Sequence, residues 1–137
     1  MGLRLASPVL LCLAVAACGG TQRPADLFLI KRSGKIPGAN LTLLVSDDGA
    51  VSCNGGPKRQ LPGALLVRAR GLTEDLAADA RKPITGDPPV NSVYRFRVRS
   101  GSGTVDWIDG SLGLPQSFLE LSQFTRIVAK TVCGLER

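Results

Sequence analysis

One segment, Val93-Tyr94-Arg95-Phe96-Arg97-Val98-Arg99, alternates apolar and cationic side chains along its whole length. A period of two is typical of a β-strand that has one face in a core and the other in solvent. A four-residue turn then leads into a returning strand, which pairs Phe96 with Trp107 and Arg97 with Asp106. The apolar faces and the polar faces agree across the two strands. The segment therefore predicts an antiparallel hairpin with one apolar and one basic face.

Three shorter strands are predicted upstream of this hairpin, at 27–32, 41–45 and 50–53, because apolar and β-branched residues dominate these stretches and turn-forming residues bound them. Two longer segments show apolar residues at spacings of three and four, which is the period of an amphipathic helix. These predicted helices cover 62–81 and 115–133. The order β-β-β-α-β-β-α predicts an α+β fold, in which an antiparallel sheet carries two helices packed on one face.

The N-terminal region contains a lipobox, Val15-Ala16-Ala17-Cys18. The apolar segment before it is too short to span a membrane, which takes about 20 residues. The motif predicts a lipoprotein signal peptide at 1–17, a lipidated Cys18 with a short linker at 18–26, and a single α+β domain at 27–137. We expect the domain to be lipid-anchored at the cell membrane, on the extracytoplasmic side. The alternative is an ordinary secretory signal in which Cys18 is incidental.

Two cysteines remain once Cys12, in the predicted signal peptide, and Cys18 are set aside. We expect these two, Cys53 and Cys133, to form one disulfide, because exported proteins fold in an oxidising compartment. The alternative is a pair of buried free thiols.

The chain contains no histidine. This removes the usual general base, the Ser/His and Cys/His catalytic pairs and the commonest zinc ligand. We therefore predict that the protein is not an enzyme and that it has no catalytic residue, no metal site and no cofactor. The formal net charge of +6 favours an acidic partner, but an aromatic content of 4% provides too few rings for a nucleic-acid stacking platform. Nucleic acid is not expected as a partner.

The three arginines of the predicted hairpin, Arg95, Arg97 and Arg99, form its basic face. Such a row suits an anionic partner, such as lipid headgroups or an acidic protein surface. The alternative is a solvated sheet face that Asp106 partly neutralises.

The loop Lys35-Ile36-Pro37-Gly38 is the second candidate for binding. Its apolar residue precedes a proline and lies between two glycines, which favours presentation over burial. A constrained loop loses little entropy when it binds, which suits an inhibitory or adhesive contact. The alternative is a structural connection between two strands.

Several short motifs occur in a familiar order: Arg32-Ser33-Gly34, then Ile36-Pro37-Gly38, then Tyr94-Arg95-Phe96-Arg97-Val98 with a turn and Thr104-Val105, and a final helix after Pro115. Over about 27–132, this order resembles the emfourin-type protein inhibitors, which are small inhibitors of thermolysin-like metallopeptidases. The resemblance implies a sheet-and-helix fold and an inhibitory activity, and it assigns no individual functional residue.

Together these features favour a membrane-anchored, non-enzymatic lipoprotein that binds a protein partner, with an extracytoplasmic metallopeptidase as the candidate target. The alternative is an envelope protein whose basic sheet face binds anionic lipid or cell-wall polymer. The sequence assigns no oligomeric state.

Overall fold

A computed structural model describes residues 25–84 and 86–136. These residues form six strands and two helices, in the order β1 Asp26–Gly34, β2 Leu41–Ser46, β3 Ala50–Cys53, β4 Arg59–Gln60, α1 Gly63–Asp79, β5 Tyr94–Ser100, β6 Gly103–Ile108 and α2 Gln116–Thr131. This arrangement confirms the predicted α+β fold.

The strands form one antiparallel sheet in the order β4-β3-β2-β1-β5-β6. The predicted hairpin is confirmed with its register, since Phe96 pairs with Trp107 and Arg97 with Asp106. β1 lies at the centre, between β2 and β5, so a long connection through α1 returns the chain to the other side of β1. The first strand is therefore the neighbour of both hairpins.

β4 is an addition to the predicted order of strands and helices. Arg59 and Gln60 pair with Val51 and Ala50 at the edge of the sheet. Both residues of β4 are exposed, so the strand has no alternation of apolar and polar positions that a sequence pattern could show. The strand leads the chain from the sheet into α1.

The core lies between the two helices and one face of the sheet. Its aromatic residues are closely packed: the Trp107 ring stacks on Phe96 at 5.1 Å and on Phe118 at 4.7 Å between centroids. The indole Nε1 of Trp107 donates a hydrogen bond to Ser122 Oγ on α2, at 3.0 Å. This contact satisfies the one polar atom of the buried ring and fixes α2 over β6.

The disulfide between Cys53 and Cys133 is confirmed, with Cα atoms 5.9 Å apart. It joins the end of β3 to the segment after α2, across 80 residues of sequence. Beside it, Arg59 Nη1 donates a hydrogen bond to the Val132 carbonyl at 2.6 Å. The C-terminal end of α2 is therefore attached to the edge of the sheet by one covalent bond and one hydrogen bond.

Candidate functional site

The loop after β1 forms a tight turn from Ile36 to Ala39. Pro37 occupies the second position, and Gly38 occupies the third with φ of 76°. The Ala39 N–H donates a hydrogen bond to the Ile36 carbonyl at 3.2 Å. Proline followed by a residue with positive φ is the arrangement of a type II turn. The sequence of this loop therefore selects one backbone conformation.

A buried arginine holds this turn from below. Arg32 is only 3% exposed, since it lies on the core side of β1. Its Nε donates to the Ala39 carbonyl at 2.9 Å and its Nη2 to the Gly38 carbonyl at 3.2 Å. The guanidinium carbon also lies 4.9 Å from the ring centroid of Tyr94, at a cation–π distance. The loop is thus attached to the sheet by charge-assisted hydrogen bonds.

Burial lowers the pKa of Arg32. The pKa of an arginine is so far above neutral pH that such a shift leaves the guanidinium protonated. The sequence analysis gave Arg32 no role in the site. The burial of Arg32 could have been predicted from the alternation along β1, because Arg32 has the same phase as the buried residues Phe28 and Ile30.

The turn presents backbone and small side chains more than a large apolar one. Lys35, Pro37 and Gly38 are exposed, whereas Ile36 is half-buried. Ala39 is 1% exposed and forms part of the core. The groups that a partner can reach at the tip are therefore the Lys35 ammonium, the Pro37 ring and the Gly38 backbone.

A groove of about 530 Å³ lies beside the turn, between Pro37 and Gly38 on one side and the segment Gly134, Leu135 and Glu136 on the other. The C-terminal wall is held in place because the Leu135 N–H donates to the Ala129 carbonyl at 2.9 Å. The disulfide fixes the same segment one residue earlier, at Cys133. Residues 37–38 and 134–136 are distant in sequence, so no motif could have brought them together.

The three predicted arginines lie where the alternation of β5 placed them. Arg95, Arg97 and Arg99 are exposed on the side of the sheet away from the helices. Lys31 of β1 is the direct cross-strand neighbour of Arg97 and adds a fourth cation. Arg97 Nε forms an ion pair with Asp106 Oδ1 at 2.7 Å. The sequence analysis missed Lys31, since only the strand order places β1 beside β5.

Cys18 and the rest of the lipobox from Val15 lie outside the described residues. In the described part of the chain, no helix is both long enough and apolar enough to cross a membrane. Within residues 25–84 and 86–136, acidic residues and cysteines form no cluster of three that could hold a metal ion.

Compared with known proteins, the chain matches no family model, and no curated protein is significantly similar to it. The resemblance to the emfourin-type inhibitors therefore stays a prediction.

Proposed function

We propose that the chain is a membrane-anchored lipoprotein without catalytic activity, and that it binds a protein partner through the turn Lys35–Gly38. The observation that carries this proposal is the contact of the buried Arg32 guanidinium with the carbonyls of Gly38 and Ala39. A charged side chain inside a core is costly unless its hydrogen bonds are satisfied. Here they are used to hold an exposed turn in a single conformation.

A rigid turn is suited to binding because its conformational entropy is lost on folding and not on association. Pro37 fixes its own φ and directs Ile36 towards an extended backbone. The exposed turn is thus pre-formed for contact with a partner surface. Together with the resemblance to the emfourin-type inhibitors, this supports an extracytoplasmic metallopeptidase as the partner.

The position of the turn relative to the predicted anchor supports the same function. The linker from Cys18 enters β1 at Asp26, and the turn follows the other end of the strand, at Gly34. The strand has nine residues, and its eight rises of about 3.3 Å separate these ends by roughly 26 Å. A partner can therefore reach the turn without displacing the linker.

The contact can be tested with the full-length protein and two double variants. Lys35→Glu/Pro37→Gly changes the charge and the stiffness of the turn. Lys58→Glu/Pro57→Gly makes the same two changes in the exposed loop between β3 and β4, and serves as the control. We expect the first variant to lose inhibition of a thermolysin-like peptidase and to lose its partner in membrane pull-downs. Equal behaviour of the two variants would contradict the proposal.

The anchor has a separate test. Cys18→Ala should release the protein from the membrane fraction or leave it unprocessed. If this variant fractionates and migrates as the wild type does, the proposed lipidation is wrong. The binding role of the turn is then still decided by the two double variants.

A further inference from the structure

Among the described residues, no helix covers one face of the sheet, which we name the open sheet face. Its residues come from β1, β2 and β5, and point away from the core. Cations and half-buried aliphatic side chains lie together on it: Leu29, Lys31, Leu44, Arg95, Arg97 and Arg99.

The charges on this face are unbalanced. Lys31 and Arg97 lie directly opposite each other on β1 and β5, and like charges in such pairs are destabilising. Among the described residues, the only ion pair on the face joins Arg97 to Asp106. Asp26 stands at the rim, where its carboxylate accepts a hydrogen bond from Ser46 Oγ at 3.1 Å. Three of the four cations therefore form no ion pair within the described protein, and the face has a marked positive potential.

Two shallow depressions between the cations could receive anionic groups. One, of about 210 Å³, lies between Leu29, Lys31 and the arginines Arg97 and Arg99. The other, of about 280 Å³, is lined by Lys31, Ser33, Arg95, Arg97 and Asp106. Leu29 and Leu44 are neighbours across β1 and β2 and supply an apolar area among the charges. A surface that carries cations beside a small aliphatic patch is complementary to phosphate headgroups above an acyl layer.

We propose that the open sheet face lies on an anionic phospholipid surface. The reason to choose a membrane over other polyanions is the length of chain before the described residues. The Ala25 carbonyl accepts a hydrogen bond from the Asp47 N–H at 2.9 Å, so the chain enters the sheet at a fixed point, the first residue of the central strand β1. The seven residues from Cys18 to Ala25 can extend about 25 Å at most. The face is therefore held within reach of the headgroups. This step rests on the proposed anchor.

This orientation also places the binding turn. With the open sheet face on the bilayer, the helices point away from the membrane and the turn at 35–38 projects sideways from the end of the sheet. A partner would then approach close to the membrane surface, as a membrane-bound peptidase does.

The test measures vesicle partition of the mature chain, residues 18–137, with Cys18→Ser, because binding then depends on the protein surface and neither on acyl chains nor on the apolar segment before Cys18. The charge variant is Lys31→Gln/Arg95→Gln/Arg99→Gln, which leaves the ion pair of Arg97 intact. The control variant removes three exposed cations outside this face, two of them on α2, with the same change in net charge: Arg81→Gln/Arg126→Gln/Lys130→Gln. Vesicles are phosphatidylcholine alone or phosphatidylcholine with phosphatidylglycerol.

We expect binding to the anionic vesicles only, weakened on the order of a hundredfold in the charge variant, since each Lys or Arg near such a surface changes partition by about fivefold. The control variant should bind nearly as the parent does. If the charge variant fails to fold, the salt dependence of binding by the parent protein still tests the proposal. Its binding should fall steeply between about 0.1 M and 1 M salt, where the screening length drops from about 10 Å to 3 Å.

Two results would overturn the proposal. Equal losses in the two variants would mean that net charge, and not this face, sets the partition. Binding to a soluble anionic cell-wall polymer without binding to anionic vesicles would assign the face to the polymer. Because Cys18 is replaced throughout, either result leaves the proposed lipidation and the role of the turn untouched.

Discussion

The carboxylate of Asp79, in the last turn of α1, accepts a hydrogen bond from the backbone N–H of Ser117, in the first turn of α2, at 3.3 Å. α2 begins after Pro115, which has no side chain able to cap the helix. The cap is therefore supplied by the other helix. Lys82 contacts the same carboxylate at 2.5 Å. The hydrogen bonds from Lys82 and then from Ser117 lower the pKa of Asp79.

This relationship predicts a pH-dependent stability. A carboxylate whose folded pKa is lowered stabilises the protein above the ordinary carboxylate range, and the effect is lost as the pH falls through the folded pKa. Asp79→Asn should lower the free energy of unfolding by about 1–2 kcal/mol near pH 7. The difference from the wild type should shrink below about pH 4. Urea denaturation across this range measures it.

Asp75→Asn is the control, since Asp75 lies one turn earlier on α1 and is exposed. It should change the stability by less than about 0.5 kcal/mol. A difference between Asp79→Asn and the wild type that stays constant from neutral to acid pH would mean that the carboxylate does not act through its charge.

The disulfide predicts a large loss of stability on reduction. A closed loop of 80 residues stabilises the fold by roughly 4–5 kcal/mol in the chain-entropy model, as an upper value. Cys53→Ser/Cys133→Ser should approach this loss, and reductant should lower the melting temperature of the wild type but not of the variant. The intact mass of the unreduced protein should be two hydrogens below that of the reduced chain. Two titratable thiols in the native protein, besides Cys18, would contradict the bond.

Local patterns in the sequence were enough for the main hairpin and for the face that the helices cover. Phe96 and Trp107 could be paired because one register alone aligns their apolar faces. The disulfide partners could be predicted by counting the cysteines that remain after Cys12 and Cys18. β4 and the cap from Asp79 could not be predicted, because both depend on elements that meet only in the folded chain. Leu119 of α2 is 43% exposed although it is apolar, because it lies outside the stripe that buries Phe118 and Leu121.

The candidate site, too, could be predicted from the sequence only in part. Pro37 and Gly38 predict a tight turn by themselves, and Arg95, Arg97 and Arg99 follow from alternation. Neither pattern shows that Arg32 reaches the carbonyls of the turn or that β1 brings Lys31 beside Arg97. These contacts depend on the order of strands in the sheet, which residue spacing along the chain does not contain.

Replacing Arg32 should lower the stability of the domain and loosen the turn that Arg32 holds. Arg32→Met keeps the aliphatic stem but leaves the buried Ala39 carbonyl and the Gly38 carbonyl without this donor. We expect the free energy of unfolding to fall by roughly 2–4 kcal/mol. Arg95→Met, on the exposed side of the same sheet, should cost less than about 0.5 kcal/mol. Guanidinium denaturation compares the two, and faster hydrogen exchange at the Ala39 amide in the first variant would report the loosened turn.

The last prediction separates the conformation of the turn from the stability of the domain. An added Cβ at Gly38 or at Gly71 would meet no atom within 4 Å, so neither Gly→Ala substitution causes a clash. Gly38 has φ of 76°, which an alanine adopts only with strain, whereas Gly71 lies inside α1. Gly38→Ala should therefore lower the free energy of unfolding by about 1 kcal/mol. Gly71→Ala should raise it by about 0.5–1 kcal/mol.

The double variant Gly38→Ala/Gly71→Ala should thus unfold near the wild-type midpoint while its turn is strained. If the partner recognises the turn in its native conformation, the double variant binds the peptidase more weakly although its stability is unchanged, and Gly71→Ala alone binds as the wild type does. Denaturation and peptidase inhibition on the same preparations make the comparison. Wild-type inhibition by the double variant would remove the turn from the contact, because a surface that tolerates a changed backbone at Gly38 is not recognising it.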